Sequence, residues 1–453
     1  MLAANDFVNE QEVIIYAVAT GLSMIPASLI VVLTITMAAG TKRMVERHVI
    51  VRNLKSLEAL GAVTDICSDK TGELLSRSGM RVGTDHILGT LTQGKMITKK
   101  AYVPACGRFS VEDANEPFNP TGGFVTLTQA NSTGTDLEKA QPLDTNTAGS
   151  DSNLGSFLDV AALANISSVW KGKEDGEWHA RGDPTEIAIN VFAARFGWSR
   201  SDLIGSEQAK WKTLLEFPFD SDVKKMSVIL EHAETEQLHV FTKGAVERVL
   251  ASCTQFYATN DSQDPTEMTD EHRERILEIM EEFASFGLRV LALASREAPS
   301  HLNYEKEIDR NQVECDLTFR GLIGLYDPPR AESAASVKEC RQAGIEVHML
   351  TGDHPGTARA IAIDVGILPS AKKMESLPKD VADALVMTAS EFDKLSDDQV
   401  DQLPQLPLVV ARCAPHTKVR MIEALHRRKR FAAMVRLCCS IQDLAKANIK
   451  LDW

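Results

Sequence analysis

Hydrophobic and polar positions divide the chain into one long apolar run and a longer mixed segment. From Val13 to Gly40 the sequence VIIYAVATGLSMIPASLIVVLTITMAAG carries no charged residue, and it exceeds the ~20 apolar residues a membrane-spanning helix needs. This predicts a transmembrane helix over 12–40, with residues 1–11 on the extracytoplasmic side. A buried core helix and a signal peptide are the rival readings, but Asp6, Glu10 and Glu12 precede the run where a signal peptide carries basic residues. Lys42, Arg43, Arg47 and Arg52 follow it, which places the C-terminal side in the cytoplasm. Pro26 frees backbone carbonyls in mid-span. These either mark a simple kink or, with the Ser28 hydroxyl, line an ion path.

The mixed segment predicts an α/β fold. Residues 61–69, 345–353, 406–413 and 431–435 are short apolar strands, and helical segments alternate with the later ones. That alternation implies a doubly wound parallel sheet. Asp69 ends the first strand and Thr351-Gly352-Asp353 ends the second, at the sheet edge where ligands bind. More than two hundred residues separate those strands, so a second domain is inserted there. It opens with a polar stretch over 106–155, rich in Gly, Ser, Thr and Asn and read as a flexible loop. Helices at 156–165, 183–196 and 269–286 and strands at 224–231 and 237–243 follow, giving an α+β insertion. YDPPR at 326–330 is the stiff return. The expected domains are a phosphorylation domain over 41–99 and 326–434, with a nucleotide-binding domain over 100–325 between its halves.

A net charge of −14 over 453 residues, with no basic stripe, argues against a nucleic-acid partner. Eight scattered cysteines without a CxxC pair indicate a reduced, intracellular protein without structural zinc.

Asp69-Lys70-Thr71-Gly72 supplies the candidate chemistry. A carboxylate at a strand end is placed to attack a phosphoryl group and form an aspartyl phosphate. The following turn offers N–H groups to phosphate oxygens, and magnesium would screen the repulsion. GDPTE (182–186), FPFDSDVKKMS (217–227), FTKGA (241–245), DPPR (327–330), TGD (351–353) and CAPHTK (413–418) follow in order. From about residue 8 to Met434 the chain resembles a P-type cation-transporting ATPase, most closely the fungal sodium/potassium-exporting (type IID) subgroup. Calcium pumps of that superfamily carry glutamate after the intramembrane proline, where Ala27 stands here.

The resemblance implies a haloacid-dehalogenase-like phosphorylation domain, ATP and Mg²⁺ as cofactors, Na⁺ or K⁺ as cargo, and a location in a lipid membrane, the plasma membrane above others. Asp69 would be the phosphorylated nucleophile within a motif completed by Lys70 and Thr71. Asp69 and the Thr71 carbonyl would hold magnesium. Thr351, Gly352, Asp353 and Lys418 would hold the phosphate. Phe219 would stack on adenine, with Glu186, Lys224, Lys243, Gly244, Arg289, Asp327 and Arg330 lining the nucleotide pocket.

Two departures stand out. The family motif reads DKTGT, whereas here residues 73–89 separate Gly72 from TLTQGKM; joining Gly72 to Thr90 restores the pattern. After Met434 the family continues TGDGVND, whose aspartates complete the magnesium site, but here the sequence runs VRLCCSIQDLAKANIKLDW. Both Gly72-Glu73 and Val435-Arg436 can be encoded with a GTGAG donor sequence. Residues 73–89 and 435–453 therefore read as retained introns or as a real insertion. The first transmembrane helices and the actuator domain of the family are also not among these residues. The expected product is a fragment that does not pump ions, with two alternatives: a membrane-anchored nucleotide binder without turnover, or a soluble phosphatase of the same sheet family.

Overall fold

The computed structural model describes residues 10–23, 27–46, 60–70, 90–114, 116–129, 140–145, 151–173, 175–204, 209–220, 222–259, 264–299, 308–376 and 378–435. Two units are distinguished. The smaller comprises residues 1–64 with 430–433, and the larger comprises 65–429 with 434–453.

In the smaller unit the described helices are Glu10–Ser23 and Ala27–Glu46, and residues 24–26 lie outside the described residues. No described helix is long and apolar enough to cross a membrane. Pro26 lies outside the described residues, and Ser28 is the second residue of the second helix. The large apolar side chains Ile14, Ile15, Tyr16, Val18, Leu29–Leu33 and Ile35 are 51–69% exposed. Thr34, Thr36 and Thr41 turn their hydroxyls back to the carbonyls of Ile30, Val32 and Met37 at 2.7–2.9 Å. The hydroxyls are thus satisfied within the helix itself.

Two principal sheets are described. The first orders its strands Val386–Thr388, Val409–Ala411, Glu346–Leu350, Asp65–Ser68 and Ala432–Val435. The pairs Asp65–Ser68 with Glu346–Leu350, Glu346–Leu350 with Val409–Ala411, and Val386–Thr388 with Val409–Ala411 are parallel. The last strand in sequence lies on the far side of the first, so the order reverses at Asp65–Ser68, a switch point of the kind that receives ligands. Met349, Ala358, Ile361 and Val409 are fully buried against this sheet.

The second sheet is built largely from antiparallel pairs. Its path runs Gln141–Pro142, Phe124–Thr128, Gly107–Glu112, Ile97–Val103, Leu317–Tyr326, Arg289–Glu297, Leu238–Ala245, Lys225–His232 and Trp211–Asp220. The helices Ser152–Leu163 and Pro184–Ala194 cover it, with Phe157 and Phe192 meeting edge to face at 6.4 Å in the core. The reading of 106–155 as a polar loop is corrected here. Gly107–Glu112 and Phe124–Thr128 are paired strands within it, with Phe109, Val111 and Val125 buried while Arg108, Ser110, Glu112 and Phe124 keep solvent contact. The abundant Gly, Ser and Thr masked that period-two pattern.

Candidate active site

The C-terminal ends of the parallel strands bring together residues hundreds of positions apart. Asp69 immediately follows the first strand, and its N–H donates to Val435 O at 3.2 Å. Lys418 Nζ donates to Asp69 Oδ2 at 2.5 Å. Lys418 sits in the first turn of the helix Pro415–Arg427, where Pro415 occupies an early position whose missing N–H costs nothing. Lys70, 1% exposed, donates to Asp353 Oδ2 at 2.6 Å and lies 3.7 Å from Asp327 Oδ2. The Asp353 N–H donates to Thr351 Oγ1 at 3.1 Å. Thr351 O and Asp353 O accept from Cys413 N at 2.8 Å and Arg412 N at 3.0 Å, stitching the TGD turn to the loop that carries Lys418. Beside Gly352 a Cβ would meet nothing nearer than Cys413 O at 4.0 Å, so the backbone is open there.

Burial works against ionising Asp353, but the charges of Lys70 and Arg289, with hydrogen bonds from Lys70 and Thr351, hold it below the usual carboxylate range. Arg289, expected to line the nucleotide pocket, thus also bears on Asp353 through its charge. Thr357 Oγ1, on the helix Pro355–Asp364, donates to the carbonyl of the preceding Leu288 at 2.6 Å.

The two halves of the split motif meet. Leu91 N donates to Lys70 O at 3.3 Å. Thr92 Oγ1 donates to Asp327 Oδ2 at 2.7 Å, and Gly94 N to Asp327 Oδ1 at 3.0 Å. Arg330 Nε donates to Thr92 O at 3.2 Å. Asp327 and Arg330, expected to line the nucleotide pocket, thus hold residues 91–94 beside Lys70. Thr90 Oγ1 is buried without a partner among the described residues. Thr71 lies outside the described residues.

The remaining predicted positions lie on the antiparallel sheet. In GDPTE, Asp183 caps the helix Pro184–Ala194 through Thr185 N, with Pro184 in its first turn. This points Glu186 inward, where Oε1 accepts from Lys243 Nζ at 2.9 Å. Both are buried, so each offsets the other's desolvation cost. Phe219, near the end of its strand, is 58% exposed. Lys224 is exposed with φ +58°. Its carbonyl accepts from Ala245 N at 3.0 Å and would meet a Cβ on Gly244 at 2.5 Å, so only glycine fits beside it.

The sequence reading missed three groups. Thr92 is one. Asp65 and His348 are another, joined at 3.1 Å between paired strands, with His348 Nδ1 2.9 Å from Pro407 O. Charged or titratable residues inside the apolar runs VTDIC and VHML were the available signal. The third, Arg310 with Glu314 and Lys225, gives no comparable signal.

Burial, with Asp65 adding to it, pushes the Cys67 thiol up to about 12, and burial does the same at Cys253 and Cys413. A raised folded-state value stabilises fully below the ordinary thiol value near 9 and is lost as pH climbs toward 12. Unfolding free energy should therefore fall between those limits. At pH 8, mass spectrometry after alkylation is expected to find Cys67, Cys253 and Cys413 protected and the half-exposed Cys315 modified.

Comparison with known proteins decides the family. The P-type ATPase cytoplasmic domain N family matches residues 153–332. A sodium/potassium exporting P-type ATPase of Schizosaccharomyces pombe is 46% identical over 438 residues, 96% of this chain and 39% of that protein. The chain belongs to the P-type ATPases. Sodium/potassium exporting P-type ATPase 2 of Saccharomyces cerevisiae is 42% identical over 96% of this P-type ATPase chain and 42% of its own length. A calcium-transporting ATPase of Bacillus subtilis is 30% identical over 92% of the chain and 40% of its own length. The chain thus spans 39–42% of the length of these P-type ATPase relatives.

Proposed function

We propose that this chain carries the phosphorylation and nucleotide-binding machinery of an ATP-driven exporter of Na⁺ or K⁺, working through an aspartyl phosphate on Asp69. The carrying observation is the pair of ion pairs at the strand ends, Lys418 with Asp69 and Lys70 with Asp353. One lysine lowers the cost of bringing a phosphate to the nucleophile, and the other keeps the second carboxylate ionised and oriented. The Lys418 contact and the Asp69 N–H bond to Val435 O fix where the carboxylate sits, which suits attack on a bound phosphoryl group. The Thr90 hydroxyl, without a partner among the described residues, and the open backbone at Gly352 suit phosphoryl oxygens.

Asp69 contributes the hard carboxylate oxygen that Mg²⁺ prefers, and the Thr71 carbonyl is the proposed second ligand. Magnesium would neutralise charge on the transferring phosphoryl group. Phe219, Glu186, Lys224, Lys243, Gly244 and Arg289 are the proposed nucleotide pocket, with Asp327 and Arg330 as further nucleotide-site residues. Stacking of a base on an aromatic ring contributes about 1–3 kcal/mol, so Phe219→Ala is expected to weaken ATP binding by roughly tenfold, measured by calorimetry.

We place the two N-terminal helices in lipid, with 12–40 crossing a membrane, the plasma membrane above others, and Pro26 and Ser28 along the ion path. The exposed apolar side chains and internally bonded threonines support this. Residues 41–99 and 326–434 then form the phosphorylation domain and 100–325 the nucleotide-binding domain. A second reading, nucleotide binding without turnover, is favoured by residues 73–89 standing inside the DKTGT motif. Incubation with radiolabelled ATP followed by acid quench separates the two: hydroxylamine-labile label on Asp69 supports the first, and ATP binding without label supports the second.

A further inference from the structure

Phe219 and Lys224 sit at the tip of the hairpin formed by Trp211–Asp220 and Lys225–His232. Asp220 organises the turn itself, its Oδ1 accepting from Asp222 N at 2.7 Å and Val223 N at 3.2 Å. The flanks of the tip are held by a residue from a distant segment. Arg310 Nη1 donates to Pro218 O at 3.3 Å, and Arg310 Nη2 donates to Lys225 O. One guanidinium therefore brackets residues 218–225 through a carbonyl on each side. Its Nε donates to Glu314 Oε1 at 2.7 Å. Glu314 is buried, and it also accepts from Ser227 Oγ at 2.6 Å and from Lys225 Nζ at 3.0 Å. Ser227 in turn pairs with Thr242 across the strands at 2.8 Å, one residue from Lys243.

We infer that Arg310 and Glu314 are positioning residues that set the hairpin tip, and with it Phe219, in the geometry that receives a nucleotide base. This rests on the reading of Phe219 as part of the nucleotide pocket. The fork geometry is essential, because a lysine at 310 keeps the charge but cannot span both carbonyls while bonding Glu314. An exposed aromatic on an unclamped tip samples many orientations, and each must be given up on binding.

The test is a double-mutant cycle on the full chain, reading the dissociation constant of ATP by calorimetry. Arg310→Lys, with Arg310→Ala beside it, is expected to weaken ATP binding about tenfold when Phe219 is present. In the Phe219→Ala background the same substitutions are expected to change the constant less than about twofold. Equal weakening in both backgrounds, as general damage to the fold would produce, overturns the inference, and so does an unchanged constant in both. If the unsubstituted chain fails to bind ATP, the nucleotide reading falls and takes the inference with it. Binding by that chain with an inert Arg310 overturns the inference alone.

Discussion

Asp69→Asn is expected to reduce acid-stable, hydroxylamine-labile incorporation of phosphate from ATP to background. An amide has the shape of the carboxylate but lacks its nucleophilic oxygen pair, and loss of a covalent nucleophile costs roughly 10⁴-fold or more. The same substitution removes the negative charge that Lys418 meets at 2.5 Å, so ATP affinity should hold or rise. The two readouts must move apart: label lost, binding retained. Lys418→Ala is expected to lower labelling by about 10²-fold, since it removes a preformed cation where charge accumulates. Deleting residues 73–89 should raise labelling by about tenfold, because Lys70 and Leu91 are already within hydrogen-bond distance and the deletion brings Thr90 next to Gly72. Equal labelling of Asp69→Asn and the unsubstituted chain would refute the assignment of the nucleophile.

His348→Ala is expected to destabilise the larger unit by about 3–5 kcal/mol, the usual cost of removing one partner from a buried polar pair. His348 Nδ1 lies 2.9 Å from the Pro407 carbonyl oxygen and Nε2 lies 3.1 Å from Asp65 Oδ1. Both side chains are fully buried. Removing the imidazole takes that contact from Asp65 and opens a cavity beside the strand that leads to Asp69. Replacing both members with apolar residues, Asp65→Val with His348→Ile, is expected to cost less than either single change. Denaturant midpoints of the three variants measure this asymmetry, and additive losses would exclude direct coupling of the pair.

The parallel sheet and the meeting of Asp69, Lys70, Asp353 and Lys418 at its edge were legible in the sequence because strand-end motifs announce themselves. Apolar runs ending in DKTG and TGD could only place Asp69 and Asp353 at one edge. GDPTE was legible for a similarly local reason, an aspartate cap followed by a proline in the first turn. What stayed hidden depends on distant partners. Nothing local tells that Thr92 meets Asp327, or that the charge of Arg289 bears on Asp353. The strands Gly107–Glu112 and Phe124–Thr128 were lost because small polar residues diluted their alternation. The long apolar run gave its composition away, yet no described helix within it is long and apolar enough to cross a membrane.

The register of the strand Asp65–Ser68 also sets a timetable for synthesis. Asp65 pairs with Glu346, so this strand leaves the ribosome long before that neighbour exists. At roughly 5–20 residues per second the interval is on the order of tens of seconds. The intervening antiparallel sheet can complete itself meanwhile, whereas the parallel sheet cannot close. The strand that leads to Asp69 is therefore made early and must wait for its partner. Slowed translation between codons 65 and 346 would lengthen the time its apolar face is exposed to chaperones and to other nascent chains.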